Sequence, residues 1–397
     1  MDTWDVPLAD LSIEAEDLEA VEATYRSGWL TQGPRTVTFE HHFAEYTGAA
    51  EAVAVSSGTA ALHLACLTAG LGEGDEVIVP SLTFVATVNA VAYTGATPVF
   101  ADIAGLTRPW LSVAACERVL TERTRAVLAV DYGGHGGEVE ALAGMCRRHG
   151  LVLLEDAAHA AGARAHGRHL GTLGAAGAFS LFSNKNLAVG EGGVLVTSDP
   201  DVAARARLLR SHGMTTLTWD RHRGHATDYD VTALGFNYRL DEARAAMATT
   251  RLARLDRDNA RRARLVDRYR RALAGLDLQV ALPPAPGQRS SHHLFTIVLP
   301  PDVDRDAFRR RLAERRIQTS VHYPAAHRFS IYAGHHDLPV TEAYAARSVT
   351  LPLFPHLTEA QQDRVVEATR AALRRSPVPA GASRSRRRGL HGSAAGG

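Results

Sequence analysis

The stretch that decides the fold is LVLLEDAAHAAGA, residues 151–163. Four apolar residues run into Glu155 and Asp156, which predicts a short strand over residues 151–155 that is buried on both faces. Strands of this kind belong to parallel sheets covered by helices. Ligands of open α/β sheets bind beyond the carboxyl ends of the strands. The stretch therefore predicts an α/β fold and puts Asp156 at the edge where a ligand binds.

Strand-like and helix-like segments alternate on both sides of this stretch. Short apolar runs predict strands, and apolar residues at helical spacing predict amphipathic helices. The other predicted strands are 76–79, 97–101, 126–130, 178–182 and 193–197. The predicted helices are 13–25, 60–69, 85–93, 113–120 and 139–149. This alternation predicts a mostly parallel central sheet with helices on both faces.

The second half of the chain has a different pattern, typical of a smaller C-terminal α/β domain. It predicts a long helix over 241–273, strands over 293–299 and 318–321, and helices over 304–316 and 358–374. We expect a large domain over residues 1–250, which includes the N-terminal segment, and a small domain over 251–375. Residues 376–397 are rich in Pro, Gly, Ser and Arg, which predicts a disordered tail.

Bulk composition excludes several classes of protein. The formal net charge is +1, so no global field attracts nucleic acid or an anionic membrane. No apolar run approaches the ~20 residues of a membrane span, and the acidic start MDTWDVPLADL does not resemble a signal peptide. The three cysteines lack CxxC spacing, and the 19 histidines form no HExxH motif. We therefore expect a cytoplasmic protein with neither disulfides nor a metal site.

Lys185 is the only lysine in the chain, since every other residue among the 44 lysines and arginines is arginine. It lies in AFSLFSNKNLAVGEGGVLV, residues 178–196, in a loop between two predicted strands. A coding bias toward arginine would remove lysine wherever arginine can substitute. Arginine stays protonated and is a poor nucleophile, whereas an amine can lose its proton and form an imine. A chance surface lysine is the alternative, but the glycine-rich loop beside Ser180 favours an imine-forming amine.

A second segment predicts an anion site. In VAVSSGTAALHLA, residues 53–65, a strand-like run meets Ser-Ser-Gly-Thr and then a helix. Free backbone N–H groups at a helix N-terminus bind anions, and Gly58 allows close approach of a phosphate. Ser57 or Thr59 could equally well satisfy the helix cap and nothing more.

The acid at the end of the first stretch has its own chemistry. A carboxylate at Asp156 can hold a pyridine nitrogen in its protonated form, so that the ring acts as an electron sink. His159 lies three residues later and could stack on or hydrogen-bond to the same ring. A capping role for Asp156, and a capping or core role for His159, are the alternatives.

These segments resemble the DegT-type (StrS-like) sugar aminotransferases, a branch of the fold-type I enzymes that depend on pyridoxal 5′-phosphate (PLP). The resemblance runs from about residue 5 to residue 375. The motifs that carry it include SGWLTQGP, SSGTAALHLA, EDAAHAAGA, FSLFSNKNLAVGEGG, GFNYRLDE and SVHYPAAH. It implies that the large domain binds PLP, that Lys185 forms the imine and moves protons, and that Asp156 pairs with the pyridine nitrogen.

The resemblance also implies roles for other residues. Gly58, Thr59 and Ser180, with Ser57 beside them, would bind the phosphate. Phe84 would stack on the ring, and His159 would lie near the ring oxygen. Asn237 would reach the phosphate of a neighbouring subunit, which implies a homodimer with shared active sites. The implied substrate contacts are Thr31, Arg239, His322 and Tyr323, although a buried structural role is as plausible for the last two.

The implied reaction is transfer of an amino group from glutamate or glutamine to a keto-sugar. The favoured acceptor is a nucleotide-linked keto-deoxysugar in amino-sugar, polysaccharide or secondary-metabolite biosynthesis. A keto-cyclitol of the aminoglycoside type is the alternative within the same chemistry, and a non-catalytic PLP-binding sensor is the alternative outside it. Two features depart from the family pattern: Asn184 precedes the lysine where threonine is frequent, and residues 215–231 form a stretch that many members lack.

Overall fold

The computed structural model describes residues 4–216, 228–334 and 336–373. The described residues form eleven α-helices, which we number in chain order: α1 Ala15–Arg26, α2 Pro34–Thr47, α3 Gly58–Thr68, α4 Val85–Ala92, α5 Val113–Val119, α6 Val139–His149, α7 Pro200–Arg210, α8 Glu242–Leu273, α9 Arg305–Glu314, α10 Pro339–Arg347 and α11 Glu359–Leu373. None of these helices is both long and apolar enough to cross a membrane.

A seven-stranded sheet forms the centre of the fold. Its strands are β1 Glu51–Val55, β2 Glu76–Pro80, β3 Thr97–Ala101, β4 Thr124–Val130, β5 Val152–Asp156, β8 Ala176–Ser180 and β9 Gly193–Thr197, in the order β1-β9-β8-β5-β4-β2-β3. Only β9 runs antiparallel to its neighbours. The predicted mostly parallel α/β fold is therefore confirmed, and each predicted strand of this sheet is present to within two residues at its start or end.

The strands of this sheet are almost wholly buried, which explains their continuous apolar sequences. Strands β2 and β9 are buried along their full length. Helices pack on both faces and close two apolar clusters, one of which contains Phe39 and Val127 and the other Leu64 and Leu128. Because apolar side chains project from both faces of each strand, the sheet can be stable only with both faces covered.

Two smaller sheets complete the strands. One comprises β6 Arg164–Ala165, β7 Arg168–His169 and β11 Gln288–Arg289, and the other comprises β10 Gln279–Val280, β12 Phe295–Val298 and β13 Ser348–Leu351. The predicted strand over 318–321 is wrong. Its contact with this sheet is a single isolated bridge between Ser320 and Thr350, at the outer edge of β13.

Helix α8 joins the large sheet to the C-terminal part of the chain. Its first half packs in the cluster beneath the large sheet through Ala248 and Leu255. Its second half packs with β12 and α11 through Leu265 and Tyr269. The predicted boundary at residue 250 falls inside this continuous helix, and the division into two domains stays a prediction. The predicted tail, 376–397, lies outside the described residues.

Candidate active site

A cavity of about 350 Å³ opens at the carboxyl ends of β5 and β8. Ten of the residues predicted for the site line it: Ser57, Gly58, Thr59, Phe84, Asp156, His159, Ser180, Lys185, His322 and Tyr323. They come from five separate segments of the chain. The fold therefore brings together side chains that the sequence places up to 266 positions apart.

One part of the cavity is built to hold an anion. Ser57 caps helix α3, because its Oγ accepts the N–H of Ala60 at 3.1 Å. Gly58 is required by close packing, since a Cβ there would lie 2.9 Å from the Cβ of Ser180. Ser180 ends β8 at this point, so its hydroxyl stands beside the N-terminus of α3. Free N–H groups and hydroxyls are the groups that bind a phosphate.

Asp156 ends β5 and is buried, with 5% of its surface exposed. Thr87 of α4 donates its hydroxyl to Oδ2 at 2.6 Å, and the N–H of Ala158 donates to Oδ1 at 3.1 Å. Burial raises the pKa of Asp156, while these hydrogen bonds and the charge of Lys185 act in the opposite direction. A protonated pyridine nitrogen would supply the positive partner that this buried carboxylate needs.

Lys185 reaches the same cavity from the loop after β8. Burial lowers the pKa of its amine to about 8, and the nearby charge of Asp156 opposes this change. An amine with this pKa is neutral in a substantial fraction of molecules near neutral pH, so it can act as a nucleophile and as a base.

His159 is held as one neutral tautomer. Gly133 donates its N–H to Nδ1 at 3.2 Å, and Nε2 lies 3.0 Å from the hydroxyl of Tyr323. Burial lowers the pKa of His159 well below its ordinary value. Since Nδ1 accepts a hydrogen bond, the ring proton is on Nε2 and is donated to Tyr323. The hydroxyl hydrogen of Tyr323 is therefore free to be donated elsewhere.

Phe84 stands at the mouth of the cavity with its side chain exposed. It precedes α4, is 55% exposed, and its ring centroid lies 5.8 Å from that of Tyr323. Such an exposed aromatic face can cover a planar ligand ring.

Three predicted site residues do not line this cavity. Thr31 is exposed in the turn before α2. Asn237 pairs through its backbone with Ser211, and Arg239 pairs with Val55 beside the large sheet. Within one chain the structure therefore does not bring Thr31, Asn237 or Arg239 to Lys185.

Several residues that sequence reasoning missed hold the site in place. Thr83 lies 2.6 Å from the hydroxyl of Thr87, which extends the hydrogen-bond chain from Asp156. Asn186, next to the lysine, contacts His293 at 3.0 Å and Asn259 at 2.7 Å. The sequence motif TFVAT signals Thr83 and Thr87, but nothing in the sequence links Asn186 to residues more than seventy positions away.

The match with a family model covers residues 11–370, which is most of the chain. The matched model is that of the DegT/DnrJ/EryC1/StrS aminotransferase family. The chain belongs to this family. It is therefore a PLP-dependent aminotransferase with the fold-type I architecture, as the sequence predicted.

Solved structures of similar proteins agree with this assignment. The aminotransferase TlmJ from Streptoalloteichus hindustanus is 35% identical, with a TM-score of 0.87 over 93% of this chain and 98% of that chain. DesV from S. venezuelae, solved with a ketimine intermediate, is 39% identical, with a TM-score of 0.86 over 94% and 99%. Helicobacter pylori PseC, an aminotransferase of pseudoaminic acid biosynthesis, is 27% identical, with a TM-score of 0.86 over 93% and 99%.

The residues present fit PLP. Ser57, Gly58, Thr59 and Ser180 suit its phosphate. Asp156 suits its ring nitrogen, and Lys185 suits its aldehyde carbon.

Proposed function

We propose that this aminotransferase moves an amino group from glutamate or glutamine to a nucleotide-linked keto-deoxysugar. The observation that carries the proposal is the neutralisable amine of Lys185 in one cavity with the buried carboxylate of Asp156. The relatives support a sugar acceptor, because PseC acts in pseudoaminic acid biosynthesis. We also propose that the reaction takes place in the cytoplasm.

The residues of the cofactor cavity have different roles in the proposed reaction. When bound, PLP supplies an electron sink for the carbanion that forms at the substrate carbon. Lys185 takes the proton from the donor's α-carbon, and in the second half of the reaction returns a proton to the acceptor carbon. Asp156, fixed by Thr87, keeps the ring nitrogen protonated. Ser57, Gly58, Thr59 and Ser180 hold the phosphate, which fixes the substrate carbon near Lys185.

Donor conversion tests the proposal most directly. Purified holoenzyme is mixed with single amino donors, and the near-visible absorbance is followed through one turnover. We expect glutamate or glutamine to convert the bound cofactor and release the corresponding keto acid. The aminated form is then offered nucleotide-linked keto-sugars and keto-cyclitols. Reaction only with cyclitols would replace the proposed acceptor, and no conversion by any donor would favour the non-catalytic sensor.

We further propose that two copies of this chain share their active sites. Asn237 and Arg239 lie away from the cavity of their own chain, and Leu234 in the same segment is 95% exposed. In a homodimer this segment can reach the neighbour's phosphate site and acceptor.

Mixing two inactive variants tests the shared site. If Lys185→Arg and Asn237→Ala damage different chains of one site, mixed dimers regain one intact site. About a quarter of wild-type activity is then expected, because half of the dimers are mixed and each has one intact site. No recovery after exchange of subunits would contradict the shared site.

A further inference from the structure

A second cavity, of about 330 Å³, adjoins the loop that carries Lys185. Residues 183–186 of that loop form one wall, and Asn184 and Lys185 line both this cavity and the cofactor cavity. The other walls come from the N-terminal segment, helix α8 and residues 355–356. We call this second cavity the arginine cleft, because six arginines of α8 line it: Arg251, Arg254, Arg257, Arg261, Arg262 and Arg264.

The first three arginines are neutralised within the chain. Asp17 forms ion pairs with Arg251 at 3.2 Å and with Arg254. Glu14 forms an ion pair with Arg257 at 2.5 Å. These contacts tie α1 to α8 and leave little positive charge at that end of the cleft.

The remaining three arginines have no such partner. Arg261 donates to the carbonyl of Pro355 at 3.3 Å, and Arg262 donates to the carbonyl of Leu353 at 2.9 Å. Within residues 4–216, 228–334 and 336–373, no carboxylate forms an ion pair with Arg261, Arg262 or Arg264. Asp10 and Asp258 also line the cleft, but their carboxylates are paired with His356 at 2.9 Å and with Arg257 at 3.1 Å. The positive charge of the three remaining guanidinium groups is therefore not paired within the cleft.

Arg262 gives the strongest indication that the cleft binds an anion. The residue is 4% exposed, and its Nε has no hydrogen-bond partner among the described residues. The charge of Asp258, which lines the same cleft and forms an ion pair with Arg257, acts on Arg262 only from beyond ion-pair distance. The desolvation of the Arg262 guanidinium is therefore not repaid by a direct ion pair. Burial accordingly lowers the pKa of Arg262 to about 10. A bound anion would supply a direct ion pair for the guanidinium and an acceptor for Nε.

The chemistry of the walls favours a phosphate over a single carboxylate. Guanidinium groups bind phosphate oxygens in pairs, and several of them can share one phosphate group. The cleft also offers the hydroxyl of Ser183 and the amide of Asn184.

We propose that the arginine cleft binds a diphosphate group. The diphosphate belongs either to the acceptor or to a free anion. The first case rests on the proposed function, and it identifies the part of the acceptor that the cleft recognises. Asn184 and Lys185 line both cavities, so the cleft lies beside the cofactor cavity. In the proposed arrangement the keto carbon of the acceptor lies at Lys185 and its diphosphate lies in the cleft.

Calorimetric titration of the holoenzyme tests this proposal. The probes are inorganic pyrophosphate, dTDP and UDP, each at constant ionic strength. The cleft variant is Arg261→Gln with Arg264→Gln. The matched control is Arg118→Gln with Arg147→Gln, which removes the same charge from two exposed positions on other helices. We expect the cleft variant to bind pyrophosphate roughly 10- to 100-fold more weakly, and the control to bind like wild type.

The probes also separate the two sources. If the diphosphate belongs to the acceptor, dTDP or UDP binds at least as tightly as pyrophosphate and loses affinity in the same variant. If a free anion is the ligand, pyrophosphate binds and the nucleotides do not. The proposal that the cleft binds a diphosphate would be overturned if pyrophosphate binding were weakened equally in the cleft variant and the control, or if the wild type bound none of the probes. Donor conversion on the same wild-type sample shows separately whether the proposed function has failed.

Discussion

The cofactor cavity and the arginine cleft have similar volumes and share Lys185, yet the pKa shifts in the cofactor cavity are opposite in direction to those at the ion-paired end of the cleft. In the cofactor cavity, burial lowers the pKa of His159 and raises that of Asp156, so it favours the neutral forms. At the cleft, hydrogen bonds from Arg254 and Thr250 outweigh burial and hold the pKa of Asp17 at about 2. The same contact raises the pKa of Arg254.

This difference explains why a lysine is needed at position 185, between the two cavities. Where burial dominates, the pKa shifts toward the neutral form, and where oppositely charged side chains are in contact, both pKa values shift toward the ionised forms. Only a group that can change its charge near neutral pH can serve the cofactor cavity. An amine does this and a guanidinium does not.

The largest expected loss of activity comes from placing an arginine, the residue type of the cleft, at position 185 in the cofactor cavity. Lys185→Arg keeps the positive charge but cannot form the imine or accept a proton, so activity should fall by at least ~10³-fold. Steady-state turnover with glutamate measures this. The reverse exchange on the surface of α6, Arg147→Lys, is the control and should change nothing. Retained turnover in a folded Lys185→Arg protein would break the distinction between the two cavities.

The adjacent carboxylates of Glu155 and Asp156 test whether the cofactor cavity requires a negative charge at Asp156 in particular. Asp156→Asn should slow donor conversion by about 10²- to 10³-fold, because the ring nitrogen loses its anionic partner. Glu155 points to the other face of β5 and accepts the N–H groups of Gly171, Leu173 and Gly174.

Glu155→Gln is therefore the matched control for Asp156→Asn. It should lower the unfolding free energy by about 1–3 kcal/mol, because buried donors lose a charged acceptor. Its rate of donor conversion should stay near the wild-type rate. Similar rates in the Asp156→Asn and Glu155→Gln proteins would remove Asp156 from its role.

The pH dependence of PLP binding by the apoenzyme tests whether burial lowers the pKa of the Lys185 amine. The pKa of Lys185 is about 8, so the amine is mostly protonated below that pH and mostly free above it. Capture of PLP by apoenzyme should therefore rise about tenfold per pH unit below pH ~8 and level off above it. Stopped-flow absorbance measures the rate. A rate that keeps rising toward the ordinary lysine pKa would mean that burial does not act on Lys185.

The smallest expected effect concerns the histidine–tyrosine pair. His159→Leu removes the donor to Tyr323, and we expect a loss of about tenfold in donor conversion, as for one charge-neutral hydrogen bond. His159→Gln should cost less, since its amide can accept from Gly133 and donate to Tyr323.

A double-mutant cycle gives that prediction its control. Tyr323→Phe alone should match His159→Leu, and the double variant should be no worse than either single one. Additive losses would mean that His159 and Tyr323 act separately.

Much of the fold could be predicted because its strands are short and apolar. Segments 97–101, 139–149 and 193–197 were predicted with the bounds that the structure has. Helices α2 and α7 were missed, although Pro34 and Pro200 stand at their first helical positions, where proline is favoured. Strand β13 was missed and 318–321 was wrongly chosen instead, since pairing in an antiparallel sheet depends on distant partners.

The sequence by itself determined the chemistry of this protein. A single lysine, an acid at the end of a buried strand and a small-residue turn before a helix predicted an imine-forming amine, a carboxylate at the ligand-binding edge and an anion site. The resemblance of the surrounding motifs implied the family and its cofactor. Only the tertiary structure decided how those groups are tuned. The contact of Thr87 with Asp156, the tautomer of His159 and the uncompensated arginines of α8 all depend on residues distant in the chain, because burial and charge compensation arise only when separate elements pack together.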